Sequence, residues 1–458
     1  MHRVKLPASL LALALLTAGA AFGQADFSKY VAMGDSLTAG FSSGSINATF
    51  QVNSYPALLA KQFGISGFQQ PLVSPPGLPG ILQLARLVPT PVILPTPGAG
   101  TPTNLTLPRP YDNLAVPGAT VHDLLTKTRS TSANDPTDLV LRQAGFTQLQ
   151  QGLSLRPTFV TLWIGNNDAL GSATAGTDQL LTPLASFESD YRTIVGAIAA
   201  SGAKMALANI PDVTSIPFVT TLSRFIPDPM TGQPALIAGN FIPLIGPDGP
   251  LQPGDFVLLT ATAELAVGHG IPVALGGAGV PLSNTVVLNA SEAANIRARV
   301  NQYNAVISAV ANERGAALVD VNTQLTELAT TGVDVGGITY TSAFLKGGVF
   351  SYDGVHPTRF GYAFIANLFI DTINQKFGNN VEEVNLFPFV FGQSSASSSA
   401  QASIDQSIDQ SKIGPPFIFT NEAKRSLLLS LGVPANYIDH TPAAQTPKPR
   451  RPVHNTHR

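Results

Sequence analysis

In Tyr30-Val31-Ala32-Met33-Gly34-Asp35-Ser36-Leu37, four apolar residues run without a break into a glycine, an acid and a serine. An uninterrupted apolar run of this length predicts a strand buried on both faces, the habit of parallel sheets. The run stops at Gly34, so Ser36 is expected at the C-terminal end of a strand, just where a helix begins. In open α/β sheets that edge is where ligands and chemistry collect. The helix N-terminus behind Ser36 would add backbone N–H groups suited to an anion.

Outward from this stretch, strands and helices alternate. Residues 54–63 have helical spacing, 111–116 predict a second strand, and 121–126 open another helix. Thr158-Phe159-Val160-Thr161-Leu162-Trp163-Ile164 is the best candidate for a central strand, being rich in β-branched and aromatic residues. A helix follows over 187–200 and a fourth strand over 204–210. Ser291 is the expected N-cap of a helix reaching Glu313. A fifth strand covers 317–321, and Thr358 is expected to cap a last helix from Arg359 to Phe377. The alternation predicts an α/β fold with a parallel sheet covered on both faces.

Two segments interrupt the pattern, at about 69–110 and 211–288. Both are dense in proline or glycine and poor in charge, which excludes long helices and central strands through them. Their Leu, Ile, Val and Phe content predicts ordered insertions rather than solvated loops. Past residue 392 the composition turns Ser-rich. A tandem Ser-Ile-Asp-Gln at 403 and 407 is linker-like, residues 423–431 suggest a short amphipathic helix, and the tail from His440 should be disordered.

Charged residues make up only 12% of the 458, with a net charge of -2, so no basic field argues for nucleic acid. Residues 1–23 have the charged start, apolar middle and small-residue end of a cleaved secretory signal. Export to the periplasm or medium is therefore expected. The chain has no cysteine, so a large apolar core must do the work that disulfides do in many secreted proteins. No P-loop, His-Glu-x-x-His or dinucleotide fingerprint stands in a fitting context. Gly40-Phe41-Ser42-Ser43-Gly44 has the G-x-S-x-G spelling of a nucleophile elbow. Its strand has already ended at Met33, so the spelling reads as coincidence.

A serine nucleophile requires a base, a group to orient that base, and donors for the oxyanion. Of seven histidines, His122, His269 and His356 remain once the leader and tail are set aside. Only His356 has a carboxylate three residues earlier on a loop, Asp353, able to reach the nearer ring nitrogen and fix the tautomer. His122 looks like a helix cap and His269 like a surface residue.

Four blocks in order resemble the GDSL, or SGNH, hydrolases: Gly34-Asp35-Ser36-Leu37, Asn113-Leu114-Ala115-Val116-Pro117-Gly118-Ala119, Gly165-Asn166-Asn167-Asp168 and Asp353-Gly354-Val355-His356-Pro357. Together they bracket about residues 28–378. The resemblance implies a three-layer α/β/α domain of flavodoxin type with five parallel strands, over residues 24–392. It implies Ser36 as nucleophile, His356 as base and Asp353 as its orienting partner. The oxyanion would meet the N–H groups of Ser36 and Gly118 and the side-chain amide of Asn167. Asp35 and Asp168 are expected to support these groups rather than react. The activity implied is carboxylic ester hydrolysis without metal or organic cofactor. The apolar insertions tilt the expected substrate toward lipid or other hydrophobic acyl esters, met in transient contact with a lipid surface. Deacetylation of a polysaccharide is the first alternative, and an inactive surface-binding protein the second.

Overall fold

The structure is a computed structural model and describes residues 23–391 apart from 87–91, 130–134 and 229. The expected leader, but for Gly23, lies outside the described residues, as do the linker, the 423–431 helix and the tail.

The elements that matter to the site are, in chain order, β1 (Tyr30–Gly34), α1 (Ser36–Ala39), α2 (Tyr55–Gln62), α3 (Gln148–Ser154), β2 (Phe159–Trp163), α4 (Asn167–Ala175), α5 (Leu184–Ala200), β3 (Lys204–Ala208), α6 (Ala290–Arg314), β4 (Ala317–Val319), α7 (Val321–Thr330) and α8 (Arg359–Phe377). The four strands pair in parallel in the order β1-β2-β3-β4.

The alternation of side chains along each strand divides the core in two. Val31, Met33, Val160, Leu162, Met205 and Leu207 face one side and pack against α5 and α6 through residues such as Phe187, Ile194, Ile296 and Tyr303. Tyr30, Ala32, Phe159, Trp163, Ala206 and Ala317 face the other, against α2 and α8 through Leu59, Phe369 and Ile370. Small residues on the second face let α8 lie close, while Tyr55 stacks on Phe369 at 4.6 Å between ring centres.

The expected second strand, 111–116, is reduced to a single bridge, Ala32 to Asn113, while the expected fifth is found as β4. The stretch nevertheless occupies the edge beside β1. Ala32 donates to the Asp112 carbonyl at 2.8 Å, and Leu114 and Val116 donate to Ala32 and Gly34 at 2.9 and 3.1 Å. Regular pairing stops at Gly34, whose N–H donates at 2.8 Å to Gln148 Oε1 where a continued ladder would use the Leu114 carbonyl. Pro117 then ends the run.

Two smaller expectations are corrected. Asn289, not Ser291, caps α6, closing a capping box with Glu292; the Ser291 hydroxyl donates to the Asn289 side chain at 2.7 Å. His122 makes no cap and pairs instead with Asp190 at 2.9 Å on the surface.

Each insertion closes its own small core. In the first, a hairpin (Leu82–Arg86 with Val92–Pro95) carries Leu82 and Ile93 onto Val73, Leu78 and Leu105, and this group reaches back to Phe41 and Ile46 just after α1. In the second, Ile226, Leu244, Leu251, Val257 and Leu282 form a satellite core. Phe241 in this insertion is half exposed and tilts against Phe225 at 5.5 Å.

Candidate active site

The site grows from the end of β1. Gly34 sits at φ +155°, and a Cβ there would run into the Trp163 carbonyl and the Thr38 hydroxyl. Only glycine lets β1 turn into α1 this close to β2. Asp35 caps α1, its Oδ1 accepting from the Leu37 N–H at 3.0 Å. Ser36 is thereby the first residue of the helix.

Ser36 Oγ lies 2.9 Å from His356 Nε2, and His356 Nδ1 lies 3.0 Å from Asp353 Oδ2. All three are buried, Ser36 keeping 3% of its surface and the other two none. Asp353 is saturated with donors. Its Oδ1 accepts from the N–H groups of Val355 and His356 at 2.9 and 2.8 Å and from the Ser351 hydroxyl at 3.1 Å. Its Oδ2 also accepts from the Gly44 N–H at 2.8 Å. Burial pushes this carboxyl's pKa up, but His356 and the backbone donors outweigh it and hold it below the usual range. An ionised Asp353 fixes the proton on Nδ1 and leaves Nε2 to accept from Ser36.

The other two blocks are tied to the same turn, through Val116 to the Gly34 carbonyl and Asn166 to Asp35. Gly118 adopts φ +82°, a conformation that favours glycine. Among the described residues, neither the Ser36 nor the Gly118 N–H has an acceptor. Asn167 starts α4 and is partly exposed; one hydrogen of its amide goes to the Ala119 carbonyl at 2.8 Å, which orients the group and leaves the second free. Asn166 does something different. Its amide donates at 2.8 Å to Asp35 Oδ2, tying the third block to the turn that carries Ser36.

Asp35 is fully buried, and burial pushes its pKa up to about 6 against the pull of Asn166, Leu37 and His356. Burial likewise raises Asp168 to about 7. Asp168 Oδ2 accepts from the Val121 N–H at 3.0 Å and so anchors the loop that presents Gly118.

Gln148, which no motif marks, clamps the strand end. Its amide pairs both ways with the Gly34 peptide, Gly34 N–H to Oε1 at 2.8 Å and Nε2 to the Gly34 carbonyl at 3.1 Å. Its place at the start of α3, 114 positions away, offered an ordinary reason for a glutamine. The G-x-S-x-G spelling is no elbow, since it follows α1, but its Gly44 contacts Asp353. His269 sits in the second insertion beside Glu264 at 3.9 Å.

An apolar cleft lies between α7 and α8, and none of Ser36, His356, Gly118 and Asn167 lines it. Leu37, next to Ser36, and Val355, next to His356, line it together with Ile216, Leu325, Val349 and Phe350. Among the described residues no cluster of His, Asp and Glu is arranged to hold a metal ion, and no helix is long and apolar enough to cross a membrane.

Solved structures that align with the chain include an acetylxylan esterase from Geobacillus stearothermophilus, 14% identical over 77% of this chain and 96% of that one, with a TM-score of 0.35. An alpha/beta hydrolase enzyme from the metagenome of Lake Arreo, Spain, is 16% identical over 79% and 100%, with a TM-score of 0.34. No curated protein matches the sequence. The model of the GDSL-like lipase/acylhydrolase family matches residues 30–369, and the chain belongs to that family.

Proposed function

We propose that this chain is an exported carboxylic ester hydrolase acting through Ser36, His356 and Asp353, with a preference for hydrophobic acyl groups. The observation that carries the reading is the unbroken relay Ser36 Oγ–His356 Nε2 and His356 Nδ1–Asp353 Oδ2, at 2.9 and 3.0 Å. Ser36 Oγ bonds to the ester carbonyl carbon as its proton passes to Nε2. The carbonyl electron pair moves to oxygen, where the N–H groups of Ser36 and Gly118 and the free amide hydrogen of Asn167 meet it. Collapse breaks the bond to the alkoxy oxygen, which leaves with the proton from His356. Water repeats the cycle on the acyl-enzyme and frees the acid.

What supports the acyl preference is the cleft between Leu37, Ile216, Phe350 and Val355. Each methylene buried in such a cleft contributes up to ~0.8 kcal/mol. The insertions pack as separate cores, so the preference rests on this cleft rather than on them. Export rests on the leader-like residues 1–23. A series of aryl esters from acetyl to palmitoyl, with acetylated xylan beside it, tests the proposal. Rates that rise beyond acetyl are expected. Preference for acetyl with a steady loss along the series, together with deacetylation of xylan, would favour the polysaccharide reading.

A further inference from the structure

We propose that the turn Ser42–Ser43–Gly44–Ser45 and the first insertion are a brace for Asp353, and that Ser351 is a positioning residue within it. The inference rests on the assignment of Asp353 and His356 to the reaction and goes beyond it.

Asp353 receives one donor from this turn directly, the Gly44 N–H at 2.8 Å, and one through an intermediary. The Ser43 N–H donates at 2.8 Å to the Ser351 hydroxyl, which itself donates to Asp353 Oδ1 at 3.1 Å. The Ser42 hydroxyl closes the other side, donating to the Pro357 carbonyl at 2.8 Å, one residue past His356. All of these groups are buried, so no water substitutes for a lost partner.

The turn does not hold itself. Ser43 and Gly44 both adopt positive φ, 49° and 71°, which for Ser43 is a conformation the surroundings must enforce. The first insertion supplies that enforcement. Leu82 at the start of its hairpin donates to the Ser43 carbonyl at 2.8 Å, the Ser45 hydroxyl donates to the Pro79 carbonyl at 2.6 Å, and Ile46 exchanges two bonds with Leu78. Behind them the insertion's core packs on Phe41, whose ring lies 4.8 Å from that of His356. Tyr362 of α8 fixes Phe41 from the far side by donating to its carbonyl at 2.6 Å. A segment rich in proline and apolar residues thus ends, through its backbone, on the carboxylate that orients the base.

The consequence for the reaction has a sign. Each donor to Asp353 disperses its charge. Removing the Ser351 hydroxyl makes the carboxylate more basic, stabilises the imidazolium beside it, and moves the acid limb of kcat/KM to higher pH. The other titratable groups facing the pair are Asp35, at the turn before Ser36, and Tyr362; neither is altered by the change.

The test is hydrolysis of p-nitrophenyl butyrate against pH by the full chain and by Ser351→Ala, Ser351→Thr, Ile93→Ala and Ser36→Ala, with a melting curve for each. Ser351→Ala is expected to lose about tenfold in kcat with little change in KM, and its acid limb to rise by about half a pH unit. Ser351→Thr restores both, because it keeps the hydroxyl. Ile93→Ala, in the insertion core and remote in sequence from the triad, lowers kcat by about threefold and moves the acid limb the same way. If Ser351→Ala does not fold, Ser351→Cys, with a similar shape and a weaker donor, gives the same displacement at smaller amplitude. A Ser351→Ala enzyme with unchanged kcat and acid limb overturns the brace, as does a loss that Ser351→Thr fails to restore. Full activity in Ser36→Ala would instead overturn the underlying assignment, so the two failures are told apart.

Discussion

The side-chain amide of Asn166 donates to Asp35 Oδ2 at 2.8 Å across 131 positions of sequence. That bond makes the turn before the nucleophile and the start of α4 one rigid piece. It also separates two adjacent asparagines, because the Asn167 amide goes to the Ala119 carbonyl with one hydrogen and keeps the other for the oxyanion role proposed above. Asn167→Ala should therefore cost on the order of 10²–10³ in kcat, the scale for one preorganised oxyanion donor, with the melting temperature nearly kept. Asn166→Ala should cost less in kcat and more in stability, since it strips a buried carboxylate of a donor. Steady-state kinetics and melting curves on both variants check this; the reverse ranking of kcat losses would mean that Asn166 is the donor.

Asp168 gives a pH dependence of stability. Burial raises its carboxyl to about 7 from an ordinary 3.8, so the folded chain holds this proton more tightly than the unfolded chain does. Its contribution is fully present below about pH 4 and is lost as the pH rises through about 7. Asp168→Asn can still accept from Val121 and carries no charge. It should change the melting temperature little at pH 4 and raise it at pH 8, by about 2–4 °C per kcal/mol recovered. Thermal unfolding at the two pH values checks the difference. A variant less stable than the parent at pH 8 would show that the ionised carboxylate is needed there.

The base can be separated from its rivals by sequence position alone. His356→Ala should remove activity, because Ser36 then lacks a proton acceptor at 2.9 Å. His122→Ala and His269→Ala should leave it intact, as they stand beside other carboxylates, Asp190 and Glu264, and neither bonds to Ser36. In the parent enzyme kcat/KM should fall as the pH is lowered and the imidazole takes up a proton. Rates measured across pH for the parent and the three variants decide the matter.

The cleft makes its own prediction. Filling it with Leu325→Trp should flatten the rise in kcat/KM from acetyl to medium-chain esters while leaving acetyl hydrolysis nearly unchanged. Phe241→Ser, on the half-exposed surface of the second insertion, should leave the chain-length profile as it was. An ester series measured on both variants checks this; a profile altered only by Phe241→Ser would place the acyl group on the insertion instead.

Much of this was legible in the sequence, and for identifiable reasons. Strands buried on both faces write themselves as apolar runs, so 30–34, 159–163 and 204–208 were placed to within a residue or two. The stretch 111–116 reads as a strand too, but the Gln148 side chain takes the Gly34 N–H that a full ladder needs, a contact that no periodicity carries. Asp353 and His356 stand three residues apart on one loop, and that spacing is visible. The supports are not. Gln148 acts on Gly34, Asn166 on Asp35 and Gly44 on Asp353 over separations of 114, 131 and 309 residues. In each case one partner is a backbone group or a residue with an ordinary local explanation. The insertions were recognisable as ordered by composition, but what each one packs against is a matter of three dimensions.

The central claim is that Ser36 is the nucleophile, and covalent labelling tests it most directly. The parent chain and the Ser36→Ala and Ser42→Ala variants would be treated with a fluorophosphonate, and the site of attachment read by mass spectrometry of the digested protein. One phosphonyl group on Ser36 is expected in the parent and in Ser42→Ala, with none on Ser36→Ala and hydrolysis in that variant lowered by several powers of ten. A label carried by any other residue, or a Ser36→Ala chain that still cleaves esters at the parental rate, would contradict it.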